Sequence, residues 1–245
     1  KGSLMKVSVI LPAAGLGTRM AHSQPEGAGT SRKQFMLLNG SPILVHTIRK
    51  FAGTPLVSEI VVALREEDLP WVDELLSKES LSKPVRLVPG GDTRQQSVEN
   101  ALASLSPDTD LVAVHDAVRP FIQEETIEKV IREAHQTGAA IVGIVPVDTV
   151  KQVHLHKIRG TLNRERLILA QTPQVFRYGL LCQAFQRARE DGFIGTDESS
   201  LVERLEQVEV SVVLGSDRNI KITKPSDMEL ARFLLAEETA RRKAS

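Results

Sequence analysis

VSVILPAAGLGTRM, residues 7–20, carries an apolar run straight into a small, glycine-bearing turn that ends in Arg19. Val7 to Leu11 has the unbroken hydrophobicity of a strand buried on both faces. The small residues Ala13, Ala14, Gly15 and Gly17 then let backbone N–H groups come close to a phosphate chain. A strand running into such a turn fits the ligand-binding edge of an open α/β sheet. Two better-known fingerprints are missing. Met20 stands where the third glycine of G-x-G-x-x-G belongs, and no Gly-Lys-Ser/Thr completes a Walker A loop. What remains is a glycine turn ending in Arg19 and followed by Lys33-Gln34-Phe35, two cations flanking a loop in a way that suits a polyphosphate. An ordinary tight turn with surface cations is the competing reading.

Outward from this stretch, short apolar runs alternate with helix-length segments. Ile60–Leu64, Val85–Val88, Leu111–Val114 and Ala139–Val145 read as further buried strands. Helices are expected over 42–51, with Ser41 as N-cap and Pro42 at the first helical position, and over 67–77, 93–105 and 123–137, the last closed by Gly138. The alternation predicts βαβ units, and so an α/β fold with a mostly parallel sheet covered by helices on both faces. After Pro146 the pattern changes. Residues 147–162 alternate like strands and predict a two-stranded projection turning near His156 to Gly160. A lone hairpin is marginal in water, so it is expected to pack on something such as a second subunit. Pro173–Phe176 then returns to the sheet, a helix runs to about Asp191, a strand covers Glu209–Leu214 and a closing helix begins near Pro225.

Composition narrows the function. The 245 residues are 41% hydrophobic and 25% charged, enough for a sizeable core. The 31 Lys+Arg balance 31 Asp+Glu, without the basic excess of a simple nucleic-acid or membrane-surface binder. With Cys182 as the one cysteine, neither an intrachain disulfide nor a cysteine zinc site can form. No apolar run approaches the roughly 18 residues of a membrane span. A reducing intracellular home, the cytoplasm, is expected.

Several later motifs fall at the predicted ligand end of the sheet. Gly90-Gly91-Asp92-Thr93-Arg94-Gln95-Gln96-Ser97 follows the third strand and opens a helix, whose N-terminus favours anions; a routine turn and N-cap is equally open. His115-Asp116 ends the fourth strand. A carboxylate there is a natural Mg²⁺ ligand; capping a turn or pairing with Arg119 are the competing roles for Asp116. His115 points away from Asp116 along an extended chain and reads as a packing or hydrogen-bonding residue. Asn163-Arg164, Thr172-Pro173-Gln174, Thr196-Asp197-Glu198 and Lys221, the last between isoleucines on an apparent strand, bring further polar groups. His154 and His156 lack a third metal ligand and read as solvated.

The ordered set LPAAGLGTRM (11–20), KQF (33–35), GGDTRQQSV (90–98), HDAVRPF (115–121), DT (148–149), NRE (163–165), QTPQVF (171–176), TDESS (196–200) and NIKIT (219–223) resembles the 2-C-methyl-D-erythritol 4-phosphate cytidylyltransferase family. The likeness covers about 7 to 235. It implies a Rossmann-like nucleotidyltransferase fold, a single domain over 5–240, and a β-arm over 147–165 that forms a homodimer and completes the partner's site. It further implies CTP and a sugar-alcohol phosphate as substrates, with Mg²⁺ as cofactor. By motif, Ala13, Ala14, Gly15, Gly17, Gly91, Asp92 and Ser97 would bind the nucleotide, Arg19, Lys33 and Lys221 would be catalytic, and Asp116 would hold the metal. Arg119, Thr149, Arg164, Thr172 and Thr196 would bind the second substrate. Two departures stand out. Arg19 and Lys33 are 14 positions apart, longer than is usual in the family, and Arg32 replaces the proline common before the KQ pair.

These residue types suit the implied chemistry. A phosphate monoester is already ionised near pH 7, so the demand is for charge stabilisation and alignment of two polyanions rather than a base. Three rivals remain at this level: a ribitol-5-phosphate cytidylyltransferase, a dinucleotide-binding oxidoreductase, and a nucleotide-binding module without catalysis.

Overall fold

Along Val7–Pro12 (β1) the side chains leave almost no polar face, and the strand is buried between two neighbours. The computed structural model describes residues 5–15 and 32–244. Further strands lie at Leu37–Leu38 (β2), Ser41–Pro42 (β3), Glu59–Leu64 (β4), Val85–Pro89 (β5), Leu111–Val114 (β6), Ala139–Ile144 (β7), Lys151–His154 (β8), Lys157–Thr161 (β9), Leu169–Arg177 (β10) and Ser211–Leu214 (β11). The α-helices span Ile43–Ala52 (α1), Leu69–Ser77 (α2), Arg94–Ala103 (α3), Glu124–Thr137 (α4), Tyr178–Asp191 (α5), Glu198–Glu203 (α6) and Pro225–Ala244 (α7). Among the described residues, no helix is long and apolar enough to cross a membrane.

A seven-stranded sheet runs β11-β7-β10-β6-β1-β4-β5. β10 is antiparallel to both of its neighbours, and the remaining pairs are parallel. From β1 the chain moves outward to β4 and β5, then returns to place β6 on β1's other side. The carboxyl ends of β1 and β6 therefore flank a crevice where the connections diverge, the place where such sheets bind ligands. Because β10 runs backwards, with Gln174 level with Val114, its earlier residues Gln171 and Thr172 lie at that same end.

The period-two alternation of the strands sends side chains to two cores. Val9, Leu11, Ile60 and Val62 pack with Leu44, Ile48 and Phe51 of α1 and Ile127, Val130 and Ile131 of α4. Ile10, Val61, Val112 and Phe176 pack with Val98 and Leu102 of α3, Leu181 and Phe185 of α5, and Leu201 of α6. A third cluster joins Leu38, Ile43, Val118 and Ile222 to Met228, Ala231 and Leu234 of α7. Each fully buried large side chain is worth about 1.5–3 kcal/mol. This packing makes the strand ends a rigid frame for the loops that they carry.

Local detail departs from the sequence reading at four places. Ser41 and Pro42 are not the cap and first residue of a helix. They form β3, pairing with β2 across Asn39-Gly40, whose φ angles of 49° and 82° fit the tight hairpin turn that an Asn-Gly pair favours. The 147–162 projection exists as the β8–β9 hairpin, but its turn is at Leu155 and His156, both at positive φ. Gly160 serves instead at a register shift between Gln152 and Val153 on the facing strand. Lys221 is not on a strand. Its neighbour Ile222 is buried and holds the segment by one backbone bond to the Val118 carbonyl, at 3.0 Å. Gly138, by contrast, closes α4 in the left-handed conformation expected of it, at φ 98°.

Gly90 marks the closest approach of two loops at the ligand end: a Cβ there would lie 2.6 Å from the Ala14 Cβ. Gly90→Ala is expected to lower stability by about 1–3 kcal/mol through overpacking, measured by urea unfolding. Ala14→Gly added to it should recover part of the loss; additive losses would refute the contact.

Candidate active site

The first wall of the crevice grows from the end of β1. The Ala13 N–H donates to the Ala63 carbonyl at 2.8 Å, which extends the strand's order into the turn. Gln34, 3% exposed, donates through Nε2 to the carbonyls of Ala13 (2.7 Å) and Gly15 (3.0 Å). One side chain thus ties the chain after residues 16–31 to the chain before them. Gln34 sits in a 3-10 turn over Lys33–Phe35. Phe35 packs edge-on against Trp71, with centroids 4.9 Å apart. Arg32 lies over the Phe35 ring and pairs with the carboxylates of Asp68 and Glu67. Arg32 therefore helps to fix the turn that carries Lys33.

The second wall is the start of α3. Thr93 caps the helix reciprocally: its hydroxyl accepts the Gln96 N–H, and the Gln96 side chain accepts the Thr93 N–H. Ser97, 2% exposed, accepts from the Gly91 N–H at 3.1 Å and donates to the Thr93 carbonyl at 2.9 Å. The loop carrying Gly91 and Asp92 is thereby held by its own helix.

At the floor lies Asp116, its side chain 9% exposed. Arg94 Nε donates to its Oδ1 at 3.2 Å. Arg119 Nε and Lys221 Nζ approach Oδ2 at 3.1 and 3.0 Å. Arg94 spends its two remaining nitrogens on Glu198, at 2.7 and 3.0 Å. Burial opposes ionisation of Asp116, but Arg94, Lys221 and Arg119 outweigh it and hold the carboxyl well below its ordinary range. Burial likewise disfavours the Arg94 charge, and the two carboxylates more than restore it. For Glu198, burial is the larger influence and pushes the carboxyl up against the pull of Arg94.

Behind this cluster, His115 is wholly buried beside Phe51. Its Nε2 lies 3.0 Å from the Arg119 carbonyl, which can only accept, so Nε2 carries the proton and Nδ1 accepts from the Thr172 hydroxyl, also at 3.0 Å. The same hydroxyl accepts the Asp116 N–H. Asn219 donates to the Thr172 carbonyl and to Gln171. Burial drives the His115 pKa down to about 4, so it is neutral and acts as a spacer, as its alternation with Asp116 suggested.

Two cavities meet at the ion cluster. One, of about 300 Å³, is lined by Ala13, Ala14, Gly15, Lys33, Gly91, Asp92, Ser97, Asp116 and Lys221. The other, of about 260 Å³, is lined by Asp116, Arg119, Thr172, Thr196, Asp197 and Lys221. Arg94 lines both. The structure therefore brings most of the residues singled out in the sequence around two adjoining cavities. Thr149 and Arg164 line neither cavity. They are exposed at the base of the hairpin, where Arg164 donates to the Val147 carbonyl. Gly17 and Arg19 lie outside the described residues, as does most of the loop between Arg19 and Lys33.

Sequence reading missed Arg94 and Glu198 as a pair and Gln34 as a tie. One signal was available. A cation at the first position of a helix opposes the macrodipole, so Arg94 at the start of α3 called for a carboxylate partner.

Among the described residues, no three His, Cys, Asp or Glu side chains gather as a metal cage. Asp116 is still a usable ligand. Its Oδ2 receives two cations, whereas Oδ1 receives one bond and keeps an acceptor position. That fits Mg²⁺, which takes one or two protein carboxylates and completes its shell with phosphates and water.

The buried neutral His115 predicts a pH effect on stability. Unfolded, it takes a proton near 6.5; folded, only near about 4. Within that window the unfolded chain binds more protons, so stability is intact above pH 6.5 and is lost as pH falls. The loss should reach about 2 kcal/mol between pH 6.5 and 5. Urea unfolding across this range should show a flatter dependence for His115→Gln; equal slopes would refute the assignment.

Comparison with known proteins agrees with this geometry. The profile of the 2-C-methyl-D-erythritol 4-phosphate cytidylyltransferase family matches residues 7–237. A protein of that name from Solibacter usitatus is 66% identical over 242 residues, covering 97% of this chain and 98% of its own. Another from Acidobacterium capsulatum is 49% identical, with 97% and 100% covered. Among solved structures, the 4-diphosphocytidyl-2C-methyl-D-erythritol synthase of Anaerococcus prevotii superposes with TM-score 0.82 at 30% identity, covering 96% of this chain and 100% of its own. The Thermus thermophilus 2-C-methyl-D-erythritol 4-phosphate cytidylyltransferase gives TM-score 0.76 at 32% identity, with 94% and 98% covered. With a profile match across nearly its whole length and relatives of this identity, the chain belongs to the 2-C-methyl-D-erythritol 4-phosphate cytidylyltransferase family.

Proposed function

We propose that this nucleotidyltransferase moves a cytidylyl group from CTP to 2-C-methyl-D-erythritol 4-phosphate. The observation that carries the reading is the pair of cavities joined at one cation-rich cluster, one walled by phosphate-accommodating backbone and the other by threonines and Arg119. A phosphate oxygen of the sugar-alcohol phosphate attacks the α-phosphorus of CTP. The new P–O bond forms as the bond to the bridging oxygen of the β-phosphate breaks, and pyrophosphate leaves with its electron pair. No proton need be removed from the nucleophile, which explains why a neutral, buried His115 is no obstacle. The requirement is alignment and neutralisation of charge.

Role by role, Ala13, Ala14, Gly15, Gly17, Gly91, Asp92 and Ser97 receive the nucleotide. Lys33 and, by its motif, Arg19 are assigned to its phosphates, and Lys221, which lines both cavities, to the junction of the two substrates. Arg119, Thr172 and Thr196 receive the sugar-alcohol phosphate. Asp116 would hold Mg²⁺, since Oδ1 keeps an acceptor position; the metal would supply neutralisation of phosphate charge.

We read 5–240 as one catalytic domain whose β8–β9 hairpin is a dimerisation arm. Val147, Val153, Leu155 and Ile158 are 85%, 57%, 76% and 64% exposed along it, which a two-stranded hairpin in water does not sustain unsupported. Thr149 and Arg164 then serve the partner subunit's second cavity. We assign the activity to the cytoplasm, a reading supported by the bacterial sources of the relatives.

Purified protein given CTP and Mg²⁺ is expected to release pyrophosphate with 2-C-methyl-D-erythritol 4-phosphate; turnover with ribitol 5-phosphate alone would overturn the reading. Lys33→Ala should lower kcat by roughly 100–1,000-fold, the scale for losing one charge-stabilising donor. The arm has its own assay. Arg164→Ala and Lys33→Ala proteins, each nearly inactive, should regain activity when mixed, because one site of the mixed dimer has both residues intact. Absence of such complementation would remove Arg164 from the partner's site.

A further inference from the structure

Arg94 stands at the junction of the two cavities, and all three nitrogens of its guanidinium are engaged by carboxylates. Both terminal nitrogens are engaged by Glu198 and Nε by Asp116. Only a planar fork bridges two carboxylates in this way; a lysine ammonium is a point charge. Glu198 is itself immobile. Its side chain is 2% exposed, and it opens α6, whose N-terminus is capped by Asp197 through the Ser200 N–H at 3.0 Å. Asp197 also receives Gln174 Nε2 at 2.8 Å, and Leu201 and Val202 sink the helix into the core. A mechanical line therefore runs from the core through α6 and Glu198 to Arg94, and from Arg94 to one oxygen of Asp116.

The other oxygen is held by Arg119 and Lys221. Without Arg94, Oδ1 loses its one bond, and the orientation of the carboxylate rests on two cations that both hold Oδ2. We infer that Arg94, locked by Glu198, is a positioning residue that sets the orientation of the Asp116 carboxylate between the two cavities, and is not an anchor for the phosphates of either substrate. The inference rests on the proposed cytidylyl transfer and adds two residues to its machinery. A phosphate anchor would be sought through KM. A positioning residue shows in kcat.

Removing one member of a buried ion pair strands the other's charge, whereas replacing both with apolar groups preserves folding. The deciding protein is therefore the full chain carrying Arg94→Met and Glu198→Leu together. Its thermal midpoint should stay within a few degrees of the parent's, and KM for CTP and for the sugar-alcohol phosphate within about threefold. Its kcat should fall about 30- to 100-fold, the scale of a small misplacement of reacting groups. A crystal structure of the variant should show the Asp116 carboxylate rotated from its place beside residue 94.

Wild-type kcat in a folded double variant would overturn the inference. So would a tenfold rise in either KM at unchanged kcat, or an Asp116 carboxylate that has not moved. If the double variant does not fold, Arg94→Lys decides. It keeps the charge but reaches one carboxylate, and full kcat in that protein would equally overturn the inference. A parent protein without turnover would sink the proposed reaction, while the orientation of Asp116 in the variant crystal would still judge this inference separately.

Discussion

A carboxylate at the end of an apolar strand is costly to ionise, and Asp116 stays charged because three cations converge on it from distant parts of the chain. Arg94 comes from the first turn of α3, Arg119 from the turn after β6, and Lys221 from the segment leading to α7. Each requires its element to be docked in register. The sheet order, the reversed β10 and the third core around α7 can be understood as the framework that brings these positions together. Two of these cations, Arg119 and Lys221, also line the second cavity, so the ionisation of Asp116 and the charge of that cavity draw on shared side chains.

A second constraint governs the glycine turn. Backbone amides serve phosphates well only if they are held in place, and here they are held by Gln34, a residue from beyond the intervening loop. Phe35, Trp71 and Arg32 fix Gln34 in turn. With both ends tied by local contacts, added residues between them cost little, since closure entropy grows only with the logarithm of loop length. The same argument covers any length of chain between Arg19 and Lys33.

Much of this was legible in the sequence because it depends on local rules. Buried strands show as unbroken apolar runs, and Asp116 and the glycine turn could be placed at strand ends from those runs alone. Gly138 announced the end of α4. Reading failed where residues serve distant partners or break a local preference. The Arg94–Glu198 pair spans 104 positions with no periodicity to reveal it. Leu155 and His156 adopt a turn conformation that glycine would suit better, so the glycine at 160 stretched the expected turn beyond His156. Asn39-Gly40 carried a plain hairpin signal, and Pro42 beside it was read as a helix start because proline favours both settings.

The single reversed strand has a consequence for how this protein can change over time. β7 and β10 are antiparallel neighbours, and such a pair can be joined by a turn of two residues, whereas a parallel pair needs a crossover of a dozen or more. Everything between Ile144 and Leu169 is thus surplus to the sheet. The hairpin in that interval grows outward from the ligand end without any strand depending on it. Its length and sequence can drift, be grafted or be pruned while the core stays intact, so this projection and the folding of the sheet are open to independent selection.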